Sequence, residues 1–187
     1  MELTIWQLID QEETAQLSRR IEADPALATS AGESGNLPLH MAVKLDRHQS
    51  AALLLKFGVD PNRTTTIRSP ISGRIERDIC ATMLTRSPEM LRRLVAFGAS
   101  LDAVDGDGRS VFVWLSKTKK PDLLDCFVEL GGKTDATEIE KLMQAIVYEF
   151  DGVVPSAQSG RSSYSDSAAR FYAWLVRRSG SVNRGRQ

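Results

Sequence analysis

The chain has 187 residues, of which 42% are hydrophobic and 26% charged, and its 24 basic and 24 acidic side chains leave a formal net charge of zero. This composition is typical of a soluble globular protein, and it excludes a disordered chain and any general attraction to nucleic acid or anionic lipid. No apolar run is longer than six residues, which is too short for a membrane span, and the acidic start MELTIWQLIDQEE is unlike a secretion signal, so a cytoplasmic protein is expected.

Residues 35–62, GNLPLHMAVKLDRHQSAALLLKFGVDPN, contain two short apolar runs that a charged break separates and turn residues enclose. A segment this short cannot bury two apolar faces alone, so it needs neighbours of the same shape. Downstream, Pro88 and Pro121 are 33 residues apart, and so are Gly98 and Gly131. Proline suits the first position of a helix and glycine its C-terminal cap. Each unit is therefore predicted to contain a helix, a short break, a second helix and a turn.

A period of 33 residues with this layout resembles the ankyrin repeat. The residues that carry the resemblance are those of the first helix (Gly35, Pro38, Leu39, His40 and Ala42), those of the second helix and its cap (Leu53, Leu54 and Gly58), and those of the following turn (Asp60 and Asn62). The motif's threonine is replaced by Leu37 and Ser110, and its histidine by Cys80 and Val113 in later units. The hydrogen bonds that this motif makes between neighbouring turns in the family therefore cannot be carried over directly.

The resemblance implies an all-α repeat solenoid, a single domain over residues 1–183 with about five ankyrin-like helix-turn-helix units and β-hairpin fingers. The units are predicted at residues 4–29, 32–62, 72–104, 105–137 and 138–183, followed by a basic tail at 184–187. Helices are expected near Ile5–Gln11 and Thr14–Ala23 in the first unit, and at Ile139–Phe150 and Ser165–Arg178 in the last, which ends at Gly180. Leu39, Ala42, Leu54, Leu94 and Phe127 are expected to be buried between units.

Two insertions interrupt the period. Gly58 and Gly98 are 40 residues apart, and the seven extra residues fall in 63–77, RTTTIRSPISGRIER, whose strand-like ends enclose turn residues. This segment is predicted to form one lengthened finger with its tip at 68–73. Because plain spacing already allows stacking, residues 66–72 are expected to be removable without loss of stability. The second insertion, 151–164, is rich in Ser and Gly and is predicted to be a mobile loop.

The residues show no pattern typical of catalysis, metal binding or cofactor binding. His40 belongs to the repeat motif and His48 precedes a helix, so structural roles are predicted for both. Residues 105–108, DGDG, lack the later acidic ligands of a calcium loop, and residues 131–134, GGKT, lack the setting of a phosphate loop. A turn and a helix cap are predicted instead. We expect no enzyme activity, no cofactor, no metal and no small-molecule substrate.

The resemblance implies that the fingers and the concave row of first helices bind a protein partner. The residues predicted on that surface are Glu33, Asn36, Lys44, Leu45, Arg63, Arg68, Arg74, Glu76, Arg77, Thr85, Asp107, Arg109, Trp114, Lys117 and Thr118. Trp6, Trp114 and Trp174 are predicted as core side chains, with Trp114 favoured as a partner anchor. Net charge alternates along the chain, at −4 for residues 1–62, +4 for 63–98, −2 for 99–135 and +2 for 136–187. The alternating charges either belong to solvent-exposed faces or complement a partner whose surface charge also alternates.

The leading hypothesis is a protein-binding module without enzymatic activity. The arginine-rich composition is common in GC-rich bacterial genomes, so two kinds of protein are considered. One is an immunity protein that binds and inhibits a cognate bacterial toxin, which we favour because no second domain or secretion segment is visible. The other is an effector or scaffold that binds a host or regulatory protein. Nucleic-acid binding through Arg63, Arg68, Arg74 and Arg77 is a weaker alternative, since aromatic residues are not interleaved and acidic bands flank the segment.

Overall fold

The computed structural model describes residues 3–32, 35–68, 74–149 and 163–184. Nine α-helices lie within these residues: α1 (Ile5–Asp10), α2 (Thr14–Ala23), α3 (Pro38–Lys44), α4 (His48–Lys56), α5 (Pro88–Ala96), α6 (Val111–Ser116), α7 (Pro121–Glu129), α8 (Ala136–Glu149) and α9 (Ser163–Arg184). Short 3₁₀ helices span Pro25–Ala28 and Ala81–Leu84, and two strands, β1 (Thr65–Arg68) and β2 (Ile75–Ile79), form a small sheet. The described chain is thus mostly helical, which fits a helical repeat fold.

The local signals at the ends of the second helices have the predicted conformations. Pro88 and Pro121 are the first residues of α5 and α7. Gly58, Gly98 and Gly131 follow α4, α5 and α7 with φ values of 80°, 87° and 92°. Because glycine has no Cβ, it adopts this left-handed conformation without the steric cost that other residues pay. The predicted helix starts and glycine caps are therefore confirmed.

The helices stack in pairs. α1 packs on α2, α3 on α4, α6 on α7 and α8 on α9, and contacts between successive pairs join α1 to α3, α2 to α4 and α5 to α7. The buried side chains form two clusters, an N-terminal core that includes α1 to α4 and a C-terminal core that includes α6 to α9. The five residues expected between units, Leu39, Ala42, Leu54, Leu94 and Phe127, are all at most 1% exposed, so that expectation is confirmed.

Two side-chain hydrogen bonds connect distant parts of this stack. The buried His40 donates from Nε2 to the carbonyl oxygen of Ile79, at 2.8 Å, and burial lowers the pKa of this imidazole. Its Nδ1 has no hydrogen-bond partner in the described chain, and Leu37 stands where the family motif has a threonine hydroxyl. Further along, Ser110 donates to Glu138 across 3.1 Å. The His40 contact across the stack therefore forms despite the changed motif.

The first helix predicted for the third unit is a single 3₁₀ turn, Ala81–Leu84. Strand β2 extends to Ile79, and Ser87 is extended (φ −136°, ψ 147°) because the ring of Pro88 disfavours a helical residue before it. α3 and α6 each begin ten residues before the next helix, whereas the position ten residues before α5 is Asp78, which lies in β2. The strand therefore takes the place of the first turn of the predicted helix. The prediction of a full first helix here was wrong.

Residues 65–68 and 75–79 pair as an antiparallel hairpin, in which Ile67 lies opposite Glu76 and Arg68 opposite Ile75. Ile67 is 5% exposed and Ile79 is fully buried, and both belong to the C-terminal core. Removing residues 66–72 would delete a core side chain, so the expectation that this segment is dispensable for stability was wrong. The predicted tip lies mostly in residues 69–73, outside the described residues.

The last helix is longer than predicted. α9 continues through Gly180 to Arg184 instead of ending at Arg178, so the predicted end was wrong. One glycine inside a helix costs only about 1 kcal/mol relative to alanine, which neighbouring turns can offset, and no proline follows. Of the predicted loop at 151–164, residues 151–162 lie outside the described residues, whereas 163 and 164 belong to α9.

Two of the three tryptophans are core residues, as predicted. Trp174 is 2% exposed and its ring centroid lies 6.1 Å from that of Phe112, in the C-terminal core. Trp114 is 8% exposed. Trp6 is only partly buried, because its ring lies over Gly32 at the edge of the N-terminal core, so its assignment as a core residue needs correction. No helix in the described ranges combines the length and apolarity that a bilayer span requires.

Candidate functional site

An open groove of about 460 Å³ lies where α3, the hairpin, the second 3₁₀ helix and α6 meet. We call it the Trp114 groove. Its lining consists of Lys44 from α3, Ile67 and Glu76 from the hairpin, residues 83–86 from the 3₁₀ helix and the segment after it, Trp114 from α6, and Lys117, Thr118 and Lys120 from the turn that follows. Six residues predicted on the partner-binding surface thus line one groove: Lys44, Glu76, Thr85, Trp114, Lys117 and Thr118.

Trp114 is held in place by polar contacts at both its ring and its indole nitrogen. Ser110 caps the start of α6 by accepting a hydrogen bond from the amide of Val113, at 3.3 Å. The indole N–H of Trp114 donates to a carboxylate oxygen of Asp105, at 2.8 Å. Lys117 Nζ lies 3.3 Å and Arg109 Cζ 5.1 Å from the ring centroid, both within cation–π range. The tryptophan is therefore fixed before any partner binds.

Asp105 is the buried carboxylate that anchors this corner. It accepts hydrogen bonds from the backbone amides of Asp107 (2.9 Å) and Arg109 (2.8 Å), from Arg109 Nε (2.6 Å) and from Trp114. Burial alone would raise the pKa of Asp105, but these hydrogen bonds stabilise the carboxylate and hold its pKa below the usual value. Sequence reasoning placed Asp105 in a turn and missed this role. The signal available was an aspartate that starts an Asp-Gly-Asp-Gly turn nine residues before a tryptophan.

Positive charge predominates around the groove. Lys44, Arg86, Lys117 and Lys120 line it, whereas Glu76 is the one acidic residue of the lining. Glu76 faces Arg109 at 4.0 Å. Partial burial, followed by repulsion from Arg109, lowers the pKa of Lys117. An ammonium group in this position has an unfavourable environment, which a carboxylate from outside would improve.

The neighbouring rim joins the hairpin to the turn before α6. Arg74 Nη2 lies 2.6 Å from Asp107 Oδ2, and Arg109 Nη2 lies 3.1 Å from the same oxygen. The amide of Gly106 donates to the carbonyl oxygen of Arg77, at 2.9 Å. The structure therefore brings the predicted residues Arg74, Arg77, Asp107 and Arg109 together. The exposed Arg74–Asp107 pair contributes little to stability, typically below about 1 kcal/mol.

Five predicted residues lie elsewhere or cannot be placed. Glu33 is outside the described residues. Asn36 borders a separate pocket with Trp6, and Leu45 is 36% exposed just after α3. Arg63 donates from Nη1 to the carbonyl oxygen of Thr29, at 3.1 Å, and Arg68 is exposed at the end of β1. The four placed residues, Asn36, Leu45, Arg63 and Arg68, do not line the Trp114 groove.

The other residues that could take part in catalysis or metal binding, His48 and the two cysteines, have contacts typical of structural roles. His48 is the first residue of α4, and its ring lies 3.5 Å from a carboxylate oxygen of Asp46 and 3.8 Å from one of Glu89. Cys80 and Cys126 are free thiols that are both buried. Within the described ranges, no three side chains of the His, Cys, Asp or Glu types are grouped so that they could hold a metal ion.

The ankyrin repeat family model matches residues 34–66, a range that contains α3 and α4 and reaches into β1. This match supports an ankyrin-repeat protein. Ankyrin repeats generally mediate protein–protein interactions, and domains built from them are typically non-enzymatic interaction modules. A comparison with curated proteins gives no significant match.

Proposed function

We propose that this protein binds another protein and that the partner docks in the Trp114 groove and on the adjoining rim. The observation that supports this site is the convergence of six predicted surface residues on one groove, although they come from segments as far apart as α3 and α6. A rigid, concave surface binds with little loss of conformational entropy. Trp114, held by Asp105 and two cations, provides such rigidity at the centre.

The finer proposal is that the described helices belong to a solenoid of five ankyrin-like units with one lengthened finger, and that the protein acts in the cytoplasm as an immunity protein for a bacterial toxin. Its support is the repeat match at 34–66 together with the arginine-rich composition. Inhibition would follow from occlusion of the toxin's active site, so the two proteins would form a complex of fixed stoichiometry. An effector or scaffold role shares the same docking surface and differs in the identity of the partner.

The docking site can be tested with a neutral, bulky substitution. Thr118→Trp places a large ring in the groove without changing charge, and Thr137→Trp makes the same change at an exposed position of α8. We expect Thr118→Trp to weaken binding of the native partner, identified by affinity capture from the source organism, at least tenfold, about 1.4 kcal/mol. Thr137→Trp should leave the affinity within twofold. Equal affinities for the two variants would contradict the proposed site.

The immunity role has its own test. A toxin captured as the partner should lose its activity when mixed with the protein in the ratio of the isolated complex, and Thr118→Trp should restore that activity. Protection of cells without any measurable association between the two proteins would contradict inhibition by occlusion. A captured partner that has no toxic activity would instead favour the scaffold or effector role.

A further inference from the structure

The Trp114 groove is lined by apolar side chains and by more basic than acidic residues. Ile67, Met83 and Trp114 are buried side chains whose remaining exposed atoms line the groove. Four cations, Lys44, Arg86, Lys117 and Lys120, also line it, and none of them forms an ion pair with a carboxylate in the described part of the chain. A single acidic residue, Glu76, opposes them there. Within the described residues, the groove thus carries more positive than negative charge.

Two further polar groups lie at the groove. The hydroxyl oxygen of Thr85, a residue only 1% exposed, is buried without a hydrogen-bond partner in the described residues, and in this conformation it is too deeply buried for a ligand to reach. The ammonium of Lys120 donates to the backbone carbonyl oxygen of Arg86, at 2.8 Å, and not to a carboxylate. Because an ammonium has three N–H donors, Lys120 can still donate to an oxygen atom of an incoming ligand.

We propose that the occupant of the Trp114 groove is an acidic segment of the partner protein, in which at least two carboxylates flank an apolar side chain. The inference rests on the proposed protein-binding function and adds the chemistry of the partner. The apolar side chain would cover Met83 and Ile67, whereas the carboxylates would pair with Lys44 on one side and with Lys117 or Lys120 on the other. Such charge complementarity raises the association rate and discriminates between partners.

Nucleic acid fits the same groove less well. Proteins that bind single strands rely on aromatic faces on which bases stack. Trp114 is 8% exposed, and the ammonium of Lys117 already lies 3.3 Å from the centre of its ring. A carboxylate-bearing protein segment needs no stacking face and can place its charges selectively.

The test uses peptides selected from a random-sequence display library on the full-length wild-type protein, with affinities measured by fluorescence anisotropy. We expect the selected peptides to be enriched in Asp and Glu on both sides of an aromatic or aliphatic residue. Lys44→Glu combined with Lys120→Glu should weaken their binding at least tenfold. The matched control is Arg19→Glu combined with Lys56→Glu, which changes the net charge equally; Lys56 ends α4 as Lys44 ends α3. The control should stay within twofold of wild type.

A second measurement keeps the inference testable if the Lys44/Lys120 variant fails to fold. The pKa of Lys117 in the wild-type protein, followed by NMR, should rise when a selected acidic peptide binds, because a carboxylate stabilises the ammonium. The affinity should also fall as salt concentration rises. An unchanged pKa, or selected peptides without acidic residues, would overturn the inference, as would tighter binding of a short single-stranded oligonucleotide that Thr118→Trp abolishes.

The outcomes separate this inference from the proposed function. If Thr118→Trp abolishes binding of the native partner while the two charge reversals leave that binding unchanged, the groove is the docking site and the acidic occupant is wrong. If Thr118→Trp has no effect on the native partner, the docking site itself is wrong. Loss of native-partner and acidic-peptide binding in both groove variants, with both controls intact, would support the two together.

Discussion

The segments predicted as the second and third units, residues 32–62 and 72–104, share one half of their architecture and differ in the other. Their second helices, α4 and α5, each have 9 residues and are each followed by a glycine with positive φ. Their first helices differ, since α3 has 7 residues whereas the third unit has a 4-residue 3₁₀ helix preceded by the hairpin. The second segment matches the family model, but the third supplies residues 83–86 of the groove. The regular geometry supports the stack, and the departure from it supplies part of the candidate site, which α3 and α6 also line.

The largest expected effect compares the cores of these two segments. Leu54 in α4 is fully buried, so Leu54→Ala should destabilise the protein by about 2–5 kcal/mol, the usual range for a buried leucine. Met83 is 2% exposed but borders the groove, where water can fill part of the space that its removal creates. Met83→Ala should therefore cost less. Urea denaturation of both variants would measure the difference in the free energy of unfolding. A larger loss of stability for Met83→Ala would contradict the view that Leu54 belongs to the stabilising core and Met83 to the candidate site.

A smaller effect is expected at two glycines of the second segment. Gly35 and Gly58 have nearly equal φ values of 79° and 80°. An alanine at either position pays about 1–2 kcal/mol for the left-handed conformation. A Cβ on Gly35 would also overlap with the carbonyl oxygen of Thr66 in the hairpin, whereas one on Gly58 meets nothing within 4 Å. Gly35→Ala should thus lower the melting temperature more than Gly58→Ala. Equal melting temperatures would mean that the hairpin can move away from Gly35 freely.

The smallest effect concerns Asp105, which anchors Trp114, and it depends on pH. Because its folded-state pKa is lowered, Asp105 contributes stability that is present above the unfolded-state pKa of about 3.9 and is lost as pH falls through the folded-state pKa. Asp105→Asn should therefore cost about 1–2 kcal/mol at pH 7, where its amide group cannot accept all the bonds that the carboxylate accepts. The difference from wild type should shrink as the pH falls below 3.9.

Asp102→Asn provides the control for this experiment. The Asp102 side chain is 61% exposed and pairs with Lys133 at the surface, at 3.1 Å, so its removal should change stability little at either pH. Denaturant unfolding of the three proteins at neutral and acidic pH would give the comparison. If Asp105→Asn loses the same stability at neutral and at acidic pH, the hydrogen bonds to Asp105 do not act by stabilising its negative charge.

The sequence predicted those parts of the fold that depend on local signals. Proline and glycine marked the ends of α5 and α7 because their backbone preferences act within one turn. The 3₁₀ turn at Ala81–Leu84 was missed, since β2 occupies the positions at which the first turn of the predicted helix would begin. The continuation of α9 through Gly180 was missed because one unfavourable residue does not end a 22-residue helix.

The sequence predicted many of the residues at the candidate site, but it predicted less of how they are arranged. The repeat register placed Lys44 and Lys117 on the concave side, and both line the groove. Met83 was not predicted there, because its position depends on the short 3₁₀ helix. Asp105 was missed although its donors are local, since Arg109 lies four and Trp114 nine residues after it. Repeat spacing alone does not encode the geometry of this turn.

The division of the buried side chains into two cores has a consequence for how the protein opens. In the third segment, Ala81 and Met90 belong to the N-terminal core and Ile79 and Leu91 to the C-terminal core, while Leu84 packs against both. Neighbouring residues of one segment are therefore shared between two cooperative units, as in a chain of coupled repeats. We therefore expect that either end of the stack can unfold while the other keeps its core, and that opening the third segment disrupts both. Amide protons of α5 should accordingly exchange with solvent more slowly than those of α1 or α9, and the Trp114 groove lies beside the last part of the molecule to open.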